Sequence, residues 1–313
     1  MRNAFVRAIT TLARQNDRVI VVSADTGLLA FDSYREEFPD RFINVGIAEA
    51  NMIGMAAGMA MEGYFPFCFA LSPFATFRCI EQIRIDCCYQ NLPVRVVGVG
   101  GGFVYGPHGP THQAIEDLGV LRPIPNITLL APADPAETEE AVKASLNLSG
   151  PAYIRLGRNR DPIVYQTGNE YPSFDIGKLR LLHNGSDILI IAQGVVVHEA
   201  LQAAILLEKE NISVRLLDCH TLKPFDNDGF LAAARKCKCV LTVEEHNLIG
   251  GLGSACAEAS VDAQLSRPFR RLGVPDCFPD VYGTHEELLH RYGLNSKGIY
   301  AAAIKLCKEI KNG

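Results

Sequence analysis

The chain has no tryptophan and no basic block. Its 30 Lys and Arg are outnumbered by 35 Asp and Glu, for a net charge of −5. Nothing in that balance favours nucleic acid or an anionic membrane as a partner. Long apolar runs are also lacking. The longest, Val45 to Met61, is interrupted by Glu49 and Asn51 and falls short of a membrane span. The start, MRNAFVRAITTLARQ, has no signal-peptide apolar core and no cleavage site. Ten cysteines are scattered, and only Cys87-Cys88 and Cys237-x-Cys239 lie close together, neither of them a zinc spacing. A chain of 313 residues needs no disulfide staples, so reduced thiols and a cytoplasmic setting are expected.

What is present describes an α/β protein of about two domains. Asn3–Gln15 reads as a helix and Arg18–Ser23 as a strand that ends in the loop Ala24-Asp25-Thr26-Gly27. Tyr64–Ala70 is an apolar strand and Pro73–Tyr89 a helix. Leu92–Val99 is nearly continuous β-branched residue, as buried parallel strands tend to be. Asp134-Pro135-Ala136-Glu137 is a clean helix start, with Asp as N-cap, Pro at N1 and Glu at N3. The aperiodic stretch Arg158 to Asp175 reads as a connection. A second strand–helix series follows it. Its strand Cys239–Val243 ends in Glu244-Glu245-His246, which reads as a solvated polar edge. The alternation predicts doubly wound sheets with right-handed crossovers.

The chain is organised around RFINVGIAEANMIGMAAGMAME, Arg41 to Glu62. A short strand gives way at Gly46 to a helix that is apolar around most of its circumference, which belongs in a core or a subunit contact. Gly54 and Gly58, one turn apart, could admit a second backbone. Glu49 stands at the mouth of this segment. It is either a solvated first-turn carboxylate favoured by the helix dipole or a buried one that needs a partner. The loop GGGFVYGPHGPTHQ carries His108 and His112. Gly109 and Pro110 lie between them, so a metal-binding helix face is not expected and no metal ligands are assigned. The glycines could approach a cofactor or bind an anion, although the Walker lysine and the dinucleotide spacing are missing. Asp25 is a turn cap or a pocket residue. Arg158, just past a strand, can fork onto a phosphate or form a surface ion pair.

Taken together these stretches resemble the C-terminal half of the transketolase family. RFINVGIAEANMIGMAAGMA is similar to its catalytic-glutamate segment, GPTHQAIEDLGVLRPIPN to its pocket-histidine segment, and PAYIRLGRNR to the strand before its substrate arginine. DCHTLKPFD and VEEHNLIGGLGSA resemble signatures of its C-terminal domain, shared more loosely with the β subunits of 2-oxo acid dehydrogenases. The resemblance implies a three-layer αβα thiamine-diphosphate pyrimidine-binding domain at 1–165, a linker at 166–184 and a smaller α/β transketolase C-terminal domain at 185–313. It also implies roles. Glu49 would hydrogen-bond the aminopyrimidine of thiamine diphosphate and manage its proton. Asp25, Phe74, Phe77 and Arg78 would complete the cofactor wall, with Phe74 favoured over Phe77 as the stacking ring. His112, His108, Arg158 and Arg2 would face the substrate.

Two departures from the family pattern concern the substrate end. His108 stands where an acidic residue is common, and the upstream loop histidine that helps hold an acceptor phosphate would fall near Gly100. A third is larger. The Gly-Asp-Gly…Asn run that holds Mg²⁺ and the diphosphate is absent from the sequence. The expected assembly is therefore α2β2, with a separate N-terminal subunit holding the diphosphate and most of the Mg²⁺ coordination. The helix after Glu49 would contribute to self-association. The expected reaction moves a two-carbon ketol unit from a ketose to an aldose. The alternative is a 1-deoxyxylulose-phosphate-synthase-like or 2-oxo acid dehydrogenase β-like subunit.

Overall fold

The computed structural model describes residues 1–158, 161–165 and 174–312. The first eight residues of the expected linker, 166–173, lie outside the described residues. Strands β1 (Val19–Ser23), β2 (Phe42–Asn44), β3 (Phe65–Leu71), β4 (Arg95–Val99), β5 (Thr128–Leu130) and β6 (Ala152–Leu156) belong to the first half. Strands β7 (Arg180–His183), β8 (Ile188–Gln193), β9 (Val214–Asp218), β10 (Thr221–Lys223), β11 (Cys239–Asn247) and β12 (Phe269–Val274) belong to the second.

The first sheet runs β10-β5-β6-β4-β3-β1-β2, and all its neighbours are parallel except the antiparallel pair β10–β5. The second runs β12-β11-β8-β9-β7, with β7 antiparallel at the edge. Two of these strands escaped the sequence reading. β7 falls inside the expected linker, and β10 crosses over to extend the other half's sheet. The buried pattern of β1, β3 and β4 follows from their Val, Ile and Phe content, which suits a sheet covered on both faces.

Helices cover both faces of the first sheet. α1 (Arg2–Gln15) packs on one face, α2 (Asp32–Glu37) is a short connector, and α3 (Glu49–Met61) packs on the other. The expected helix Pro73–Tyr89 is broken instead. α4 (Ser72–Thr76), a tight turn at Phe77–Cys79, α5 (Ile80–Gln82) and a π-helical stretch at Ile83–Tyr89 follow one another. A π turn shifts the helical register, and here the adjacent Cys87 and Cys88 are both buried while Ile85 is turned out. α6 (Asp117–Leu121) follows the His112 loop.

α7 (Pro135–Ser145) starts as expected, with the Asp134 carboxylate accepting from Glu137 N at 2.8 Å. Its other oxygen accepts from Val164 N and Tyr165 N, so the same cap ties down the exit of the first domain. In the second half α8 (Val196–Lys209), α9 (Asn227–Arg235), α10 (Leu252–Asp262), α11 (His285–Arg291) and α12 (Ser296–Asn312) flank the sheet. The apolar core under α3 continues through Leu129 and Leu222 to Leu217 and Phe230, so the two halves share packing. Among the described residues no helix is long and apolar enough to cross a membrane.

Candidate active site

Every residue singled out in the first half, Arg2 apart, follows the carboxyl end of a parallel strand, where open α/β sheets bind ligands. Asp25 follows β1, Glu49 β2, Phe74 and Arg78 β3, His108 and His112 β4, and Arg158 β6.

Gly46, at φ +75°, turns the chain from β2 into α3 and places Glu49 in the first helical turn. The side chain is only 3% exposed, so the solvated reading does not hold. One carboxylate oxygen, Oε2, accepts from Arg78 Nη1 at 2.9 Å, which supplies the partner that a buried charge requires. The Arg78 guanidinium lies 4.1 Å over the Phe74 ring. Phe74 meets His112 edge-on, with centroids 5.2 Å apart. His112 lies 5.1 Å from His108, which stands edge-on to Tyr105 at 5.9 Å. Glu49, Arg78, Phe74, His112, His108 and Tyr105 thus form one unbroken line of contacts along the strand ends.

Burial pushes the His112 imidazole below its ordinary value, and the charges of His108 and Arg78 push the same way. The ring is therefore neutral at pH 7, with Nδ1 2.9 Å from Thr111 Oγ1. A neutral imidazole can donate from one nitrogen and accept at the other. Beyond Tyr105 the line reaches Arg2 and Arg158. Arg2 N donates to Arg158 O at 3.1 Å, and both positive charges bear on the Tyr105 phenol. Two expected residues lie off this line. Asp25, at φ +56°, exchanges hydrogen bonds with Asn44, donating from its backbone N at 3.0 Å and accepting from Nδ2 at 2.9 Å. Phe77 is turned toward solvent and takes no part in the ring contacts around His112.

The glycines of the His112 loop make room for protein. A side-chain carbon at Gly100 would lie 2.1 Å from the Tyr105 ring, at Gly101 2.5 Å from Arg155, at Gly102 2.4 Å from Glu245 and at Gly109 2.3 Å from Tyr282. The loop is the joint between the two halves, and His112 rides on it. Glu245 Oε1 locks that joint, accepting from Phe103 N at 2.5 Å and from His285 Nε2 at 2.8 Å. The Glu244-Glu245-His246 edge, expected in solvent, is buried throughout.

Comparison with known proteins follows the same division. Residues 1–163 match the description "Transketolase, pyrimidine binding domain" and residues 177–299 match "Transketolase, C-terminal domain". The chain belongs to the transketolase family of enzymes. It is 39% identical over 306 residues to the 6-deoxy-6-sulfo-D-fructose transketolase subunit SqwH of Clostridium sp. (strain MSTE9), covering 97% of this chain and 93% of that one. It is 41% identical over 298 residues to a 1-deoxy-D-xylulose-5-phosphate synthase of Synechococcus sp. (strain JA-2-3B'a(2-13)), covering 94% of this chain but only 45% of that protein. Among solved structures, one described as a split gene transketolase, inactive beta4 tetramer, superposes with a TM-score of 0.88 at 38% identity. The superposition covers 98% of this chain and 97% of that one.

Against the transketolase pattern, Tyr105, Glu245 and His285 are the residues that sequence reasoning missed. A glycine at 100, leaving space for a neighbouring ring, was the available signal for Tyr105. For Glu245 and His285, 40 residues apart in the chain, there was none.

Proposed function

We propose that this chain is the C-terminal subunit of a split transketolase that transfers a two-carbon ketol unit from a phosphorylated ketose to an aldose, working in the cytoplasm. The observation that carries the reading is the line from Glu49 through Arg78 and Phe74 to His112, built entirely within one chain. The domain limits 1–165 and 185–313 belong to the same proposal.

The residues present fit the aminopyrimidine of thiamine diphosphate. Arg78 already lays a flat, N–H-bearing cation on Phe74 and donates to the Glu49 carboxylate, and an aminopyrimidine would make the same two kinds of contact. Glu49, Phe74 and Arg78 would hold that ring, with Asp25 and Phe77 at its margin. When bound, thiamine diphosphate supplies a nucleophilic carbon and an electron sink for cleaving the bond next to the ketose carbonyl. Glu49, itself only 3% exposed, holds or releases a proton at the oxygen that Arg78 leaves free. His112, kept neutral, donates to or accepts from the oxygens at the reacting carbon. His108 reads the donor end, and Arg158 and Arg2 hold the acceptor's anionic end.

The diphosphate and Mg²⁺ fall to an N-terminal partner subunit in an α2β2 assembly. Self-association would run through the outward face of α3. There Gly54 and Gly58 have no neighbour within 4 Å, and Ile47 and Met61 are exposed. The relative described as an inactive beta4 tetramer supports both self-association and inactivity without the other half.

The test is ketol transfer by the chain reconstituted with its diphosphate-binding partner and Mg²⁺, and its loss in Glu49→Gln. A competent complex that uses no ketose donor would sink the reading. The likeness to the Synechococcus synthase favours a second reading, 1-deoxyxylulose-phosphate-synthase-type chemistry, which predicts pyruvate-dependent CO₂ release instead.

A further inference from the structure

At the far end of the line from Glu49 to Tyr105, three polar side chains have no hydrogen-bond partner among the described residues. Tyr105 is half-buried, yet its hydroxyl makes no hydrogen bond among the described residues. Arg2 Nε is buried without an acceptor. Neither the Arg2 nor the Arg158 side chain pairs with a carboxylate among the described residues. The nearby acid, Asp161, is already committed, accepting from the Met1 amino group at 2.8 Å and from Arg158 N at 3.1 Å.

Two uncommitted guanidinium groups and a free phenol at one place make a set of donors without an acceptor. Arg2 Nε is buried, and a buried donor left unmade is costly, while Arg158 is exposed and Tyr105 half-buried beside it, so the set is open to an oxyanion. We propose that Tyr105 is a specificity-determining residue, donating its phenol to a phosphate or sulfonate oxygen at the end of the acceptor sugar held by Arg2 and Arg158.

The loop is built to put Tyr105 there. Gly100 sits at φ +84°, and its missing side chain is the space that the Tyr105 ring fills. The ring then stands edge-on to His108 at 5.9 Å, which joins it to His112 and the reacting end of the pocket. Burial raises the phenol's titration above its ordinary value while Arg2 and Arg158 lower it and Asp161 raises it, with the net shift upward. The hydroxyl therefore keeps its proton, and so remains a donor, across the physiological range. An imidazole in the same place would change its charge there.

The inference rests on the reading of the chain as a transketolase subunit, and its test separates the two. Calorimetric titration of the full chain with inorganic phosphate and with methanesulfonate measures the anion site without any ketol transfer. Tyr105→Phe keeps the ring over Gly100, and an unchanged unfolding temperature verifies that. It is expected to weaken binding of the preferred anion about 3- to 10-fold, the loss of one hydrogen bond. Arg158→Ala weakens it further. Tighter binding of phosphate assigns a phosphate ester, and tighter binding of methanesulfonate assigns a sulfonate.

In the reconstituted complex, Tyr105→Phe raises KM for an aldose carrying that anion more than for an uncharged aldose, with kcat held. Equal anion affinity in Tyr105→Phe and the unsubstituted chain overturns the role of Tyr105. If neither anion binds, the pocket itself is overturned, while ketol transfer to an uncharged aldose would leave the functional reading standing.

Discussion

The loop after β4 and the end of β11 both bring acids or imidazoles to the carboxyl edge of a sheet, and they end up in opposite states. At the end of β11 the polar groups are turned inward and nearly all consumed, with Glu245 Oε2 left buried without a partner. Glu244 accepts from Leu252 N at 2.7 Å and Gly253 N at 2.8 Å, capping α10 where the dipole favours negative charge. His246 accepts from Gly119 N at 3.0 Å through Nε2 and donates from Nδ1 to its neighbour's carbonyl at 2.7 Å. Along the line from Glu49 to Tyr105, by contrast, one glutamate oxygen, the two histidines and a phenol keep hydrogen-bonding capacity to spare. Polar residues at a strand end are therefore a poor guide to a site. Unused capacity at an edge that a ligand can reach is the better one.

The sharpest way to test this contrast is to remove one carboxylate from each side. Glu49→Gln should cut kcat of the reconstituted enzyme by about 10²- to 10⁴-fold, as loss of a general acid–base group does. The unfolding temperature should stay near that of the unsubstituted chain. Glu245→Ala should do the reverse, costing about 3–5 kcal/mol in denaturant unfolding, because it breaks a buried pair and frees the Phe103 amide.

That pair also carries a pH signature. Burial pulls His285 down, but the Glu245 charge and hydrogen bond pull it up further, and the net result is a raised value. The stability it contributes is present in full below the ordinary histidine value and is lost as pH rises through the raised one. Unfolding measured from pH 6 upward should show this loss, and Glu245→Gln should flatten it.

A smaller effect is expected at Glu244, which burial pushes up to about 7 against the pull of its two amide bonds. The folded chain then holds a proton that the unfolded chain has released between the ordinary carboxylate range and neutrality. Stability from this group is present at the acid end and is lost as pH rises to about 7. Glu244→Gln should level the profile in that window, and an unchanged slope would assign the dependence elsewhere.

The least change should come from Gly58→Ala on the outer face of α3, where an added methyl meets nothing. The unassociated chain should gain about 0.5–1 kcal/mol from the better helix former. Light scattering should show weaker self-association if this face is the contact, and equal association would place the contact elsewhere.

Much of the fold was legible because its signals are local. The Val-rich run of β4, the Asp134-Pro135 cap and the turn at Gly46 each act over a few residues. Glu49 and His112 were legible through their surrounding motifs. The choice of Phe74 over Phe77 was favoured by spacing, and the structure places Phe74 between Arg78 and His112. The breaks in Pro73–Tyr89 were not legible, since its apolar spacing suits one helix as well as three short ones.

By itself, then, the sequence determined two α/β units, the order of most of their strands, and a carboxylate and an imidazole following two of those strands. Tertiary structure alone decided which polar groups were used up. The glycine loop serves the second half of the chain because Glu245, 142 residues away from Phe103, reaches back to seat it. Burial of the Glu244–His246 edge and the free phenol of Tyr105 are likewise set by what packs against them, and contacts at such separations leave no mark in a local window of residues.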